Sequence, residues 1–405
     1  MEYTISKNAK ITSSILILVG IIALVIGLTS GHGHHTSQRF WANLLVNGYF
    51  FFTISLAALF FLALQYVSQM AWGVTTHRVF QAIMSFMPIG AIVLLIVFIA
   101  GAAHMHHLYH WMDPELYIKG GEHYDEIIAN KQAYLNTPFF LIRSVIYIAV
   151  WMFFAYWLRK KSKEEDALNL AAYADGVSPI YKKSIFMGVL FIFFFAYTSS
   201  SSAWDWLMSI DTHWFSTMFG WYSFSGMWVS SMIVAVVLVL YLKSKGYLKE
   251  VNDSHIHDLG KWLFAISCLW SYLWFSQFML IWYSDIPEEV TYYMDRFEHY
   301  KLLYVGTFFV NFLLPFFLLM SRDAKRNAIF LLPVALVIFL GHWIDVLVMV
   351  LPGTMHEEGG LGLVEIGMFL TFLGGFILTI LTSLSKASLQ TKNHPMYDES
   401  VHLHH

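Results

Sequence analysis

The sequence predicts an all-α integral membrane protein. Of its 405 residues, 58% are hydrophobic and only 13% are charged, whereas a soluble domain carries charge on about a quarter of its positions. Apolar runs of about 20 residues, the length that crosses a bilayer core, recur along the whole chain. Because backbone polar groups must be paired in hydrocarbon, such long runs without alternation predict helices rather than a closed barrel.

Ten apolar runs are long enough to be membrane spans. The first is expected to be retained in the protein, since it lacks a small-residue cleavage pattern. The predicted spans are 11–29, 41–66, 79–101, 138–158, 184–207, 214–242, 260–283, 302–320, 328–351 and 361–384.

The distribution of basic residues predicts the orientation. With both termini in the cytoplasm, most of the 24 lysine and arginine residues lie on the cytoplasmic side, as the positive-inside rule requires. With an odd number of spans, the basic residues would no longer separate between the two sides of the membrane. Six basic residues fall on the outer side: Arg39, Lys119, Lys131, Arg143, Arg296 and Lys301.

The order of the spans favours two four-helix bundles. Helices 2 to 5 and helices 6 to 9 can each run up and down in sequence, and helices 1 and 10 then flank the bundles. A single polytopic domain over 1–405 is expected, with helix 1 at 11–29, a first bundle at 41–207, a second bundle at 214–351, helix 10 at 361–384 and a tail at 385–405.

Composition excludes several kinds of chemistry. A single cysteine, Cys268, rules out an internal disulfide, a thiolate-held iron–sulfur cluster and a CxxCH haem attachment in this chain. A net charge of -3 and the lack of a GxxxxGK[ST] loop give no indication of nucleic acid or nucleotide binding. The histidine-rich stretches "HGHH" (32–35) and "HMHHLYH" (104–110) occupy predicted loops without cysteines, so surface contacts are expected there rather than metal.

Ionisable residues inside the spans are few, and all but Lys261, which can snorkel from the inner end of helix 7, lie in the outer half. Arg143, Asp205, His342, Asp345 and Glu365 fall at about the same depth, and charged side chains at the centre of a span cost about 2.5–3.5 kcal/mol each to insert. His342 and Asp345 are three residues apart and therefore share a helix face. Since His342 is the one histidine well inside a span, no haem with two histidine ligands is expected.

The segment "WDWLMSIDTHW" (204–214) adds Asp211 and His213 at the outer mouth, and Gln277 lies at a similar height. We expect these polar residues to converge in one hydrated pocket. The alternative is that Asp205 pairs with Arg143 and Asp211 caps helix 6. No catalytic residue is assigned, and the candidates for a proton path or a quinol pocket are Arg143, Asp205, Asp211, His213, Gln277, His342, Asp345 and Glu365.

Three long segments carry a resemblance to a known family. "HHLYHWMDPELYIKGGEHYDEIIANKQAYLNTPFFLIRS" (106–144), "WDWLMSIDTHWFSTMFGWYSFSG" (204–226) and "GHWIDVLVMVLPG" (341–353) resemble the ActF subunits of bacterial alternative complex III. These subunits belong to the wider NrfD-like, or polysulfide reductase membrane-subunit, family. The likeness extends over helices 2 to 10.

The resemblance implies a place in a quinol:cytochrome c oxidoreductase of the bacterial inner membrane. Its partners would be a sister NrfD-like subunit, a multihaem cytochrome c, an iron–sulfur subunit and lipids. The c-type haems and iron–sulfur clusters would belong to those partners, with no cofactor in this chain, and menaquinol or another quinol would be the substrate of the complex.

Three functions remain open at this point. The first is a cofactor-free subunit that contributes to assembly and to an outer-half proton pathway, since the inner half lacks matching titratable groups. The second is a quinol-oxidising subunit with His342 or Asp205 as the base and an aromatic wall. The third is an ion or solute transporter, against which the sequence shows no matched pair of broken helices, with Pro88 and Pro315 as the nearest candidates. The aromatic wall of the second would consist of Trp270, Trp274, Phe278 and Trp282.

Overall fold

The computed structural model describes residues 2–30, 35–169 and 177–404. Within these residues, ten helices are long and apolar enough to cross a membrane, which confirms the prediction of an all-α, multi-pass membrane protein. Most extend beyond the predicted apolar runs into polar flanks. They are α1 (Lys7–Ser30), α2 (Thr36–Val67), α3 (Ala71–Ala102), α4 (Thr137–Glu165), α5 (Pro179–Ile210), α6 (Met218–Ser244), α7 (Asp253–Ser284), α8 (Lys301–Leu318), α9 (Ala328–Glu358) and α10 (Leu363–Leu384).

The helices form the two expected four-helix bundles. In the first bundle α2 contacts α3 and α5, and α4 closes the ring by contacting both of them. In the second bundle α6 contacts α7 and α9, and α8 contacts both of those. The bundles meet where α2 packs against α6 and α9 and where α5 packs against α6. This arrangement places α2 at the centre, which agrees with its apolar residues on all sides.

The first and last membrane helices pair with each other through small residues. An added Cβ at Gly20 of α1 would lie 2.7 Å from the carbonyl oxygen of Gly367 of α10, and one at Gly374 would lie 2.7 Å from the carbonyl oxygen of Ser13. Ser13 and Gly20 are seven residues apart, as are Gly367 and Gly374, so each pair lies on one helix face. Small residues at this spacing let the two backbones touch, as is common in membrane helix pairs.

The molecule has two distinct ends. The terminal face holds both chain ends and the basic connections, and the loop face holds the histidine-rich and acidic ones. We define the terminal face by residues 2–6, 159–169, 243–252, 319–327 and 385–404, and the loop face by residues 103–136, 211–217, 285–300 and 359–362.

The C-terminal tail crosses the terminal face and touches both bundles. Thr391 donates a hydrogen bond to the carbonyl of Val74 at 3.2 Å, and Asn393 donates to three carbonyls at and just beyond the end of α4. Asn252 at the start of α7 donates to the carbonyl of Leu403 at 2.6 Å. The tail therefore ties the ends of the two bundles together.

Two membrane helices, α3 of the first bundle and α8 of the second, have an irregular turn just before a proline. In α3 a 3-10 turn at Met84–Phe86 precedes Pro88, and in α8 a π-helical turn at Phe309–Leu313 precedes Pro315. Because α3 is the second helix of its bundle and α8 is the third helix of its own, these turns do not lie at matched positions, and the expectation that the two halves lack matched interruptions stands. Hydropathy could not reveal these turns, because one polar residue in each, Ser85 and Asn311, still leaves the run apolar.

Candidate functional site

Asp205 and Arg143 form a buried ion pair between α5 and α4. Arg143 donates from Nε to Oδ2 at 2.9 Å and from Nη2 to Oδ1 at 2.7 Å. Its Nη1 binds the carbonyl of Tyr134 at 3.0 Å, and its guanidinium lies 4.2 Å from the ring centre of Phe139. The alternative in which Asp205 pairs with Arg143 is confirmed. Protonating this carboxylate would leave a buried arginine without its counter-charge.

Glu365 forms a second bidentate pair, with Arg39 of α2. Arg39 Nε donates to Oε1 at 2.8 Å and Nη2 donates to Oε2 at 2.6 Å. The backbone N–H of Gly362 and the amide of Asn43 each add a hydrogen bond at 2.8 Å. Glu365 thus caps the start of α10 and fastens this helix to α2.

The expectation of one shared pocket is wrong. The five ionisable residues of the spans fall into three sites: Arg143 with Asp205, Glu365 with Arg39, and His342 with Asp345. A common depth along the membrane does not fix the direction in which a side chain points. Here Asp205 and Glu365 each point at an arginine of a neighbouring helix.

Asp345 of α9 is the exception, because its partners are neutral. Trp270 of α7 donates from Nε1 to Oδ2 at 3.0 Å, and the hydroxyl of Tyr222 in α6 donates to Oδ1. Asp345 is 3% exposed, and no cation of the described residues forms an ion pair with it. Unlike Asp205 and Glu365, it can therefore exchange a proton without leaving an opposite charge unpaired.

His342 lies one turn from Asp345 on the same face of α9, as the spacing predicts. Both line a cavity of about 10 Å³, together with Tyr49 and Ser223, whose hydroxyls are 2.6 Å apart. Neither ring nitrogen of His342 has a hydrogen-bond partner among the described residues. The ring packs edge-on against Trp270 with the centroids 5.3 Å apart. A polar cavity of this size accommodates about one water molecule.

A buried amide contacts α9 next to this histidine. Asn311 lies in the π-helical turn of α8 and is fully enclosed, and its side chain has no hydrogen-bond partner in the part of the chain that the structure describes. It packs directly on Gly341, where an added Cβ would lie 2.0 Å from Asn311 Oδ1. Such π turns are frequent at functional sites.

Between Asp345 and the loop face lies a buried arginine. Arg296 belongs to the short helix Pro287–His299, and its Nη2 donates to Asp211 Oδ2 at 3.3 Å and to the carbonyl of Met349 at 3.4 Å. Met349 is one helical turn beyond Asp345 in α9. Arg296 therefore links the aspartate of the loop face to the backbone of the helix that carries Asp345.

Aromatic rings hold Arg296 in this position. Its guanidinium lies 3.3 Å from the ring centre of Tyr292, and Tyr292 stacks on Trp214 at 3.7 Å with the rings nearly parallel. Thr217 occupies the N-cap position of α6 and makes no side-chain cap bond, so the alternative in which Asp211 caps this helix is wrong. Burial raises the pKa of Asp211, and the charge of Arg296 opposes this rise.

An open pocket of about 250 Å³ leads from the loop face to Asp211. It is lined by Asp211, His213, Tyr292, Asp295, His110 and His356, among others. His213 binds Asp125 of the preceding loop, with Nε2 2.6 Å from Oδ2, and Lys131 donates to the carbonyl of Thr212. The two loop segments are thereby joined at the rim of the pocket.

The remaining sequence candidates have local roles. Gln277 of α7 is buried and lies 3.5 Å from the hydroxyl of Ser216. His106 binds the carbonyl of Val97 at 2.9 Å and so fixes the end of α3. In the described residues no group of three or more His, Cys, Asp or Glu side chains is placed to hold a metal. The "HGHH" stretch lies outside those residues, except for the backbone of its last histidine.

Sequence reasoning missed the partners of these acids. The sequence placed Arg39 and Arg296 only among the outer basic residues and Trp270 only in an aromatic wall, and it singled out neither Asp125 nor Tyr222. Their pairing depends on which helices become neighbours. Only the proximity of His342 and Asp345 was available from their spacing.

Comparison with known protein families and with characterised proteins gave no match to this chain.

Proposed function

We propose that the chain is a cofactor-free membrane subunit of a bacterial quinol:cytochrome c oxidoreductase, and that its second bundle contains an outer-half proton pathway ending at Asp345. The ten spans support the membrane location. The three segments that resemble ActF subunits support the complex. The basic residues of the terminal face favour a cytoplasmic position for it, which would place the loop face outside the inner membrane.

Asp345 is the observation that carries the proton pathway. Ionisable residues inside a membrane are usually functional, since they are costly to insert. For Asp205 and Glu365 that cost is offset by ion pairs that hold neighbouring helices together. Asp345 has two neutral hydrogen-bond donors and adjoins a cavity that fits one water. A residue in this setting is suited to taking up and releasing a proton.

Polar groups line a route from the loop face to this aspartate. The open pocket reaches Asp211, which pairs with Arg296. Tyr292 and Tyr222 continue inward, since Tyr292 packs on the arginine and Tyr222 donates to Asp345. Tyrosine hydroxyls both donate and accept hydrogen bonds, so they can relay a proton between the buried acid and the pocket.

The same geometry argues against a quinol site at these residues. The cavity beside His342 has room for about one water, and Asp205 is fully enclosed by its arginine and by neighbouring rings. Trp274, expected as part of a quinol wall, packs against Tyr304 and Phe308 with centroids 5.1 and 5.0 Å apart. Trp274 is therefore occupied by contacts within the bundle, whereas Trp282 at the end of the stripe is 65% exposed.

Affinity purification from native membranes tests the assignment to a complex. A tag on the C-terminal tail should recover subunits with the absorption of c-type haem and of iron–sulfur clusters, together with quinol:cytochrome c activity. Recovery of the chain alone from mild detergent, under conditions that keep other respiratory complexes intact, would contradict the proposal.

Replacing Asp345 by Asn tests the proton pathway. In the assembled complex, Asp345→Asn should lower the number of protons released per quinol oxidised, whereas Asp345→Glu should retain part of the release. Tyr222→Phe, which removes one donor and keeps the ring, should slow release without abolishing it. Normal subunit content is the control, and an unchanged proton yield in Asp345→Asn would refute the pathway.

Transport is the second candidate, and the π-helical turn of α8 with its buried Asn311 favours it, since such turns are frequent at functional sites. The stronger sign of a transporter would be discontinuous helices at corresponding positions of the two halves, and α3 and α8 do not form such a pair. Liposomes that contain only the purified chain should then show proton or ion flux under an imposed potential. Flux no greater than in empty liposomes would reject this candidate and leave the subunit proposal standing.

A further inference from the structure

A crevice at the terminal face lies outside the proton pathway. It opens between α3, α4 and α10 and has a volume of about 840 Å³. Its walls come from Ser85 of α3, from the end of α4 and from the last turns of α10. The crevice therefore lies where the helices leave the apolar part of the membrane.

The wall of the crevice nearest the terminal face is basic. Arg159, Lys160, Lys163 and Lys386 line it, and Glu164 is the acidic residue among the lining side chains. Glu164 is already paired with Lys161, whose Nζ lies 2.6 Å from its carboxylate. The lining consequently carries an excess of positive charge.

Arg159 keeps its charge without an acidic partner in the described residues. Its Nη1 donates to the carbonyl of Gln81 at 3.4 Å and its Nη2 donates to the carbonyl of Ser383 at 3.0 Å. These bonds fix the guanidinium between α3 and α10, and further N–H donors remain, because arginine has five. Lys163 reaches across to the carbonyl of Lys386 at 3.1 Å. Several positive groups are thus held together at one rim.

The wall of the crevice further from the terminal face is apolar. Leu378 and the ring of Tyr156 line it, and Tyr156 is 67% exposed. The hydroxyls of Thr379 and Thr382 bind carbonyls of their own helix at 2.8 and 2.7 Å, so their polar atoms are satisfied within α10. An apolar slot below a basic rim matches the shape of a lipid, with a charged head above a hydrocarbon chain.

We propose that this crevice binds an anionic phospholipid. Its phosphate lies among Arg159, Lys163 and Lys386, and an acyl chain follows Tyr156 and Leu378 down α10. Basic pockets between membrane helices are suited to acidic headgroups, and arginine binds phosphate oxygens with paired N–H donors. The bound lipid would bridge α4 and α10, which otherwise belong to different parts of the fold.

Nanodiscs of defined composition test the proposal. The purified chain should retain phosphatidylglycerol in native mass spectrometry and should melt at a higher temperature in phosphatidylglycerol than in phosphatidylcholine discs. The triple variant Arg159→Gln, Lys163→Gln, Lys386→Gln should bind phosphatidylglycerol roughly a hundredfold more weakly, because each basic residue contributes to attraction of an anionic lipid. A matched control with equal charge loss, Lys183→Gln, Lys245→Gln, Lys249→Gln, changes exposed lysines outside the crevice at the same end of the molecule and should bind normally.

Three outcomes would overturn the proposal. One is equal retention of phosphatidylglycerol and phosphatidylcholine, and another is an equal loss of binding in the control variant. The third is full competition by glycerol 3-phosphate, which would show a site for a free anion rather than a lipid. If the triple variant does not purify, Lys386→Glu alone, at an exposed position after α10, should weaken lipid retention in the same assay, and normal retention would reject the site.

Discussion

Arg143 and Asp205 show how a membrane span tolerates two charges. Each is enclosed, and the two share a bidentate contact. The variant Asp205→Asn should destabilise the protein by about 3–5 kcal/mol, because it leaves a buried arginine without its counter-charge. Thermal and denaturant unfolding in detergent would measure this loss.

The control for that measurement is an ion pair exposed to solvent. Lys161 and Glu164 lie three residues apart at the end of α4 and are partly exposed. Glu164→Gln should leave the unfolding curve unchanged, since pairs in water contribute little. A similar loss in both variants, or none in Asp205→Asn, would contradict the structural role of the buried pair.

The contact between Asp125 and His213 should depend on pH. Burial works against ionisation of Asp125, but hydrogen bonds from Ile128 N–H and from His213 keep its pKa below the ordinary value of 3.8. A carboxyl group whose pKa is lowered by folding stabilises the fold at pH values above its ordinary pKa. This stabilisation is lost as the pH falls through the lowered pKa. The difference in melting temperature between the wild type and Asp125→Asn should therefore be present at pH 7 and shrink below about pH 4. A difference that grows on acidification would refute this contact.

At the residue scale, sequence identified acids but not their partners. The cost of inserting charge marks Asp205, Asp345 and Glu365 as important. Whether such an acid pairs with arginine or remains protonatable depends on the neighbouring helix. Arg39 shows the difficulty, since it lies more than 300 positions from Glu365 in the chain.

Among the elements, α8 and α9 depend on a close contact at Gly341. An added Cβ there would meet Asn311 Oδ1 at 2.0 Å, so Gly341→Ala should displace the buried amide and separate the two helices. The expected result is a lower melting temperature and a changed fluorescence of the nearby tryptophans.

Gly306→Ala of α8 is the matched control, because an added Cβ at that site has no atom within 4 Å. This control should be neutral or slightly stabilising, as alanine favours helices. Equal behaviour of the two variants would refute the contact.

At this scale hydropathy was a sufficient guide to the membrane helices and not to their irregularities. All ten predicted spans correspond to observed helices. The 3-10 turn before Pro88 and the π turn before Pro315 were not foreseen. Proline alone does not distinguish a regular helix from one with such a turn, because neighbouring groups can satisfy the freed carbonyls.

On the scale of the whole molecule, the pairing of α1 with α10 should depend on its small residues. In α1, as far as the structure describes it, Ser13 and Gly20 are the buried residues. Gly20→Leu should detach α1 and raise its sensitivity to protease, since a Cβ there would meet Thr371 at 2.5 Å. Gly375→Leu of α10 is the control, because a Cβ added at Gly375 has no atom within 4 Å. Protease resistance that is unchanged in Gly20→Leu would contradict this packing.

The bundle architecture was predictable because consecutive spans usually pack as neighbours, even across a long connection such as 103–136. The heptad spacing of Ser13, Gly20 and Gly27 was also present in the sequence, but its partner on α10 could be recognised only once the two helices were seen together. The prediction of one common pocket was wrong for the same reason. The depth of a residue follows from its own helix, whereas the meeting of side chains from several helices depends on how those helices pack.

The most direct test of the central claim follows the proton of Asp345 itself. Infrared difference spectroscopy of the assembled complex, recorded before and after a pulse of quinol, should show a carboxyl band that shifts in D2O and is missing in Asp345→Asn. Asp205→Asn, if it assembles, should keep the band. An identical difference spectrum in the wild type and in Asp345→Asn would show that this aspartate does not change protonation during turnover and would contradict the proposed pathway.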